Sequence, residues 1–233
     1  MTRTRRATVA MLLVGLAIFS SLYSTQAILP TLVRNMGLSS TAAAMTVSAA
    51  TGALALCVVP ASILSERFGR GRILLISAVA ATGVGLIVPL AQEGWQLIVV
   101  RGLQGALLSG APATAMAWLS EELDDKALPR AMGLYIAGTS VGGLTGRLIP
   151  TGLVEISTWR WALFGSALVS LAFAITSWLL LPTQRNFRPK SIHLKTESRA
   201  LLGHWANRDL ALLFLTAFLS MGTFVSMYNF LTF

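Results

Sequence analysis

The chain has 233 residues, of which 55% are hydrophobic and only 12% charged, and its mean hydropathy is +0.70. That composition excludes an ordinary soluble domain. The formal net charge of +9 does not point to nucleic acid, because the basic residues fall in short segments between long apolar runs, where they orient helices.

A hydrocarbon core of roughly 30 Å is crossed by about 20 helical residues. The sequence offers seven runs of that order, approximately 8–28, 41–64, 73–90, 96–119, 131–154, 161–181 and 210–233. They are continuously apolar and do not alternate, so the predicted class is all-α integral membrane, with no nucleic-acid partner and the lipid bilayer as solvent. The first run follows Arg3, Arg5 and Arg6 and carries Tyr23 and Gln26 near its far end. This opening also fits a secretory signal peptide, but its apolar stretch is longer than an ordinary signal core and six more runs follow. The second run holds Cys57, the only cysteine, which reads as a small packing residue. With His193 and His204 as the only histidines, no metal site can be assembled, and no cofactor is expected.

The fourth run contains Arg101 and Gln104, and the fifth contains Gly133, Gly138, Gly142, Gly143, Gly146 and Arg147. Gly138, Gly142 and Gly146, four apart, make one smooth stripe for close helix approach. Pro60, Pro112 and Pro150 are expected to kink their helices. Trp95, Trp118, Trp159, Trp161 and Trp178 sit near predicted helix ends, as interfacial anchors do. After the sixth run, residues 182–208 read as a basic linker between a bundle at 1–181 and a further helix at 209–233. Within it Ile192, Leu194, Leu201, Leu202 and Trp205 alternate with charges, which suits a surface helix at the interface or a linker held near anionic lipid. The chain stops as a helix is completed, so a larger protein with more to follow is expected.

Arg3, Arg5, Arg6, Arg67, Arg70, Arg72, Lys126, Arg130, Arg185, Arg188, Lys190, Lys195, Arg199 and Arg208 fall on one side of the predicted helices, and only Arg34 and Arg160 on the other. The first side is therefore cytoplasmic and the N-terminus lies inside.

Residues 62–72, Ser-Ile-Leu-Ser-Glu-Arg-Phe-Gly-Arg-Gly-Arg, resemble the loop signature between the second and third helices of the major facilitator superfamily. Ser62 stands for its first glycine, Glu66 for its aspartate and Gly71 for a basic residue. Residues 97–105, with Arg101 followed by Gln104-Gly105, resemble the fourth-helix signature of the same superfamily. The glycine-rich fifth run resembles the motif of its drug:proton antiporter branch, with Gly143 where proline is usual and Arg147 where glycine is usual. Trp159-Arg160-Trp161 and residues 222–230 are similar to a group of enterobacterial inner-membrane transporters within it.

The resemblance implies the N-terminal six-helix bundle of the major facilitator fold, two inverted three-helix repeats, plus a seventh transmembrane helix. It implies a secondary transporter, not an enzyme, that moves a small molecule across the bacterial inner membrane by alternating access, with efflux or exchange as the expected mode and a proton as a candidate coupling ion. Glu66, Arg67, Gly69 and Arg70 are the implied gating loop. Tyr23, Gln26, Arg101, Gln104 and Arg147 should lie in the outer half of the bundle, where they either line the substrate path or satisfy one another and backbone carbonyls at a helix interface. Arg101 has a third option, snorkelling to the outer interface. No acidic residue lies deep in a predicted helix, so a proton carrier would be Glu155 or a group beyond this segment. Three rivals stand beside this reading. A truncated remnant would insert without transporting. A homodimerising half-transporter would be spoiled by the dangling seventh helix. A membrane enzyme would need a nucleophile, metal or carboxylate pair at bilayer depth, which the sequence lacks.

Overall fold

The computed structural model describes residues 2–189, 203 and 206–230, and all regular structure among them is helical. Helix α1 (Arg3–Tyr23) starts at Thr2, whose hydroxyl accepts from the Arg5 N–H. After Ser24 the chain passes through a 3-10 turn, Gln26–Ile28, into the short helix α2 (Leu29–Met36), which closes on Gly37 at φ 64°, a left-handed position that glycine adopts without strain. The first run expected at 8–28 is thus a longer element, Arg3–Met36, interrupted after Tyr23.

Helix α3 (Ser40–Phe68) is capped by the Ser39 hydroxyl and contains Pro60. Gly69, at φ 101°, turns the chain directly into α4 (Arg70–Gly85). The fourth span is split at Ser109 into α5 (Gly94–Leu108) and α6 (Gly110–Glu122). Pro112 has no N–H to offer Leu108, and its ring crowds that carbonyl, so the helical hydrogen bonding lapses at Ser109, whose backbone stays helical at φ −59° and ψ −31°. Helices α7 (Leu128–Ile156, containing Pro150) and α8 (Trp159–Leu180) complete the bundle.

Four elements among the described residues are long and apolar enough to cross a membrane by length and composition alone: Arg3–Met36, Ser40–Phe68, Arg70–Leu90 and Trp159–Leu180. The fourth span falls short through its break, and α7, 29 residues long, has its hydropathy diluted by glycines and Arg147.

Helix contacts come in matched pairs. The first span packs on the fifth as the fourth packs on the second, and the first packs on the sixth as the fourth packs on the third. Exchanging spans one to three with four to six reproduces this pattern, which is the arrangement of two inverted three-helix repeats.

Packing inside is close and built from small residues. Ala7, Ala10, Ala17, Ala78, Ala81, Ala111 and Ala115 are all fully buried, as suits helices that associate without a hydrophobic driving force between them. Large apolar side chains instead face outward, Leu56, Leu148 and Leu179 among them, a distribution that suits lipid or a further protein surface and not water. A second cluster, including Ile28, Leu32, Val47, Leu97 and Leu163, closes the end of the bundle beneath α2.

Trp118 departs from the interfacial role expected of it. It is fully buried, and an added Cβ on Gly71 would lie 2.8 Å from its ring nitrogen. Trp159 is also buried, with the Arg160 guanidinium 4.3 Å over its ring, and Arg160 donates to the carbonyls of Pro89 and Ala91.

Residues 1–189 and 190–233 form two separate units. The second contains α9 (Arg208–Phe230), 23 residues long. Ile192, Leu194, Leu201, Leu202 and Trp205 of the expected interfacial linker lie outside the described residues.

Candidate functional site

A guanidinium inside an apolar bundle must find acceptors for its five N–H groups. Arg101 is fully buried. Its Nη1 donates to the Ser21 carbonyl at 3.0 Å and to Gln104 Oε1, its Nη2 to the Leu22 carbonyl, and its Nε to the Thr46 carbonyl at 3.4 Å. Gln104 completes the set by donating to Ser21 Oγ at 2.8 Å and to the Ala81 carbonyl at 3.2 Å. Arg101 therefore does not snorkel. With Gln104, which reaches the Ala81 carbonyl of α4, it ties the last turn of α1 to α3, α4 and α5, and it donates to the Ser21 and Leu22 carbonyls beside the break after Tyr23. Gly105 belongs to the same arrangement, since a side chain there would collide with the Ala50 backbone and hold α5 off α3.

The five residues expected in one cavity divide into two sets. Arg147 is half-buried, and its guanidinium lies 4.1 Å from the centroid of the Tyr23 ring. Its Nε donates to Gln26 Oε1 at 2.9 Å and its Nη1 to the Gly143 carbonyl at 2.8 Å. Gln26 is buried. Both sets hold the same stretch of chain, residues 21–26, where α1 breaks.

Beneath the second set, the glycine stripe meets α1. Side chains at Gly138, Gly142 and Gly146 would strike the backbone of Leu12, of Gly15 and Leu16, and of Ser20 in turn. Contacts that advance four residues on both helices describe two parallel helices in register. Gly143 lies off this line, and an added Cβ there would meet Tyr23 at 3.5 Å and Arg147 at 3.4 Å, so a larger residue would crowd the stacked pair.

At the opposite end of the bundle, Glu66 pairs with Arg70 at 3.5 Å, and Arg70 Nε reaches Glu121 at 2.6 Å. Arg67 lies over Phe68, 5.4 Å from its centroid. Glu121 and Glu122, expected in a loop or at a helix end, both end α6 and organise this surface. The Glu122 carboxylate is buried, pairs with Arg3 and accepts from the main-chain N–H groups of Arg185 and Asn186, each at 2.7 Å. Gln184 bridges Glu121 to the Gly71 N–H. The adjacent pair of carboxylates was the only signal in the sequence, and it does not reveal that main-chain groups are the partners.

Inverted three-helix repeats, a charged loop between spans two and three, and a buried Arg-x-x-Gln-Gly in the fourth define a membrane transporter of the Major Facilitator Superfamily. The sequence model of that superfamily matches residues 11–233, and the chain belongs to it. Its relatives and fold are those of transporters, not enzymes.

Among its relatives are the inner membrane transport protein YnfM of Escherichia coli, 36% identical over 97% of this chain and 54% of that protein, and the MFS-type transporter YybF of Bacillus subtilis, 34% identical over 98% of this chain and 57% of that protein. The chain thus spans about half the length of the curated relatives it matches. The same fold occurs in a crystal structure of a bacterial homologue of the human lysosomal transporter Spinster, with a TM-score of 0.64, 16% identity, and coverage of 88% of this chain and 50% of that one.

Proposed function

We propose that this chain is the N-terminal part of a secondary transporter that exports a small molecule across the bacterial inner membrane by alternating access, with its N-terminus in the cytoplasm. The observation that carries the substrate reading is the half-buried Arg147 guanidinium stacked on Tyr23 and held by Gln26. Such a pair accepts a carboxylate edge-on at the guanidinium and an unsaturated ring alongside the tyrosine. A small aromatic or unsaturated carboxylate is therefore the proposed substrate class. A gallate transporter of Pseudomonas putida, 28% identical over 69% of this chain, supports that class. Arg101 and Gln104 line the path indirectly, by holding the residue 21–26 segment that presents Tyr23 and Gln26.

The test is counterflow of labelled aromatic carboxylates in proteoliposomes carrying the whole native gene product. Arg147→Ala should abolish it while leaving the elution profile unchanged, and equal transport by variant and parent would remove Arg147 from the path. Repeating the assay with and without a pH gradient decides proton coupling. The second reading is a transport-inactive half, motivated by the 54% and 57% coverage of the relatives. Mass spectrometry of the product in native membranes separates the two, since one near twice this size leaves the transporter reading standing.

A further inference from the structure

Helix α1 presents two different faces. Ala10, Met11, Val14, Ala17 and Ile18 are fully buried in the bundle. Leu12, Leu16, Phe19 and Tyr23 are half-buried, and their spacing of i, i+4, i+7 and i+11 places them on one side of the helix. That stripe is apolar until its last turn, where the Tyr23 ring meets the Arg147 guanidinium.

Phe19 stands one turn before Tyr23, with the two ring centroids 6.2 Å apart and the planes at 44°. The guanidinium carbon of Arg147 is 4.1 Å from the same Tyr23 centroid, so a cation and a second aromatic ring both border Tyr23, within reach of one benzoate-sized molecule. A side chain at Gly143 would fill part of this corner, its Cβ meeting Arg147 at 3.4 Å and the Tyr23 ring at 3.5 Å. The Phe19 ring offers neither donor nor acceptor. A hydroxyl brought against it gives up water and gains no hydrogen bond, whereas a methyl group there gains apolar contact.

We infer that Phe19 is a specificity-determining residue. With the carboxylate on Arg147 and the ring beside Tyr23, Phe19 receives the substituent opposite the acid and selects an alkyl group over a hydroxyl. The inference rests on the substrate-path reading of Arg147 and Tyr23 proposed above, and it narrows that reading to aromatic carboxylates with an apolar far end.

The experiment is competition during counterflow of labelled benzoate into proteoliposomes carrying the whole native gene product. The competitors are 4-methylbenzoate and 4-hydroxybenzoate, which have nearly the same shape. In the parent, 4-methylbenzoate should half-inhibit uptake at a concentration about ten-fold lower than 4-hydroxybenzoate. Phe19→Gln, polar and of similar length, should erase that ratio. Should Phe19→Gln misfold, Phe19→Tyr keeps the ring and adds a hydroxyl at its edge, and it should narrow the ratio. Equal inhibition by the two acids in the parent, or a ratio unchanged in a folded Phe19 variant, would overturn the inference. A general loss of packing at residue 19 would lower uptake without moving the ratio. If benzoate uptake is absent, or is the same in Arg147→Ala, the substrate-path reading fails and takes this inference with it. If uptake depends on Arg147 while the ratio ignores residue 19, the inference alone fails.

Discussion

Arg101 and Arg147 carry the same charge inside the same apolar setting, and their surroundings set them different tasks. Arg101 is enclosed, with carbonyls from two helices and an amide within reach of its donors. Replacing it by alanine leaves the buried Leu22 carbonyl without that donor, at about 1–3 kcal/mol, and empties a guanidinium-sized space among α1, α3 and α5, so Arg101→Ala should lower the unfolding temperature in detergent and reduce the yield of monodisperse protein. Arg101→Lys should recover only part of that loss, because one ammonium cannot span the positions a planar fork reaches. Arg147→Ala should instead leave the unfolding temperature nearly unchanged, its cost falling on transport. Both arginines were legible as charges in apolar runs, but their partners were not: main-chain carbonyls are common to every residue and leave no mark in a sequence. Hence the sequence could bring Tyr23, Gln26, Arg101, Gln104 and Arg147 to one half of the bundle without showing that they form two sets.

Among the elements, α1 and α7 depend on one another most closely. Their parallel, in-register approach is possible because Gly138, Gly142 and Gly146 offer no side chain to the facing backbone. Gly142→Val should force the helices apart at a cost of roughly 1–3 kcal/mol or more, read as a lower unfolding temperature, whereas Gly152→Val, where an added Cβ meets nothing within 4 Å, should be tolerated. The glycine spacing was visible in the sequence because a period of four is a property of the helix itself. The break between α5 and α6 was less so. Pro112 announced a disturbance, but whether a helix bends or parts depends on what packs around it, here Ser77 against Gly110. Helix α2 was hidden for a related reason, since an apolar run does not show where α1 turns.

For the whole molecule, charge placement and the seven apolar runs made the fold class readable, because lipid leaves a backbone few choices. The surface built by Glu121 and Glu122 was not readable, since its partners lie far away along the chain. Orientation can be measured directly. In a Cys57→Ser background, a cysteine at Arg34 should react with a membrane-impermeant maleimide on intact spheroplasts, and one at Thr4 only after permeabilisation; the reverse pattern would invert the proposed topology.

The Arg3–Glu122 contact also has a meaning in time. Arg3 leaves the ribosome well before its acceptors Glu122 and Thr183, which lie 119 and 180 residues downstream. At about 5–20 residues per second of synthesis, the earliest span waits many seconds with that arginine unengaged. Glu122 can take up Arg3 once the fourth span has emerged, but the Thr183 carbonyl and the Arg185 and Asn186 N–H groups join only after the sixth, so the complete lock on this face marks finished bundle assembly during biogenesis.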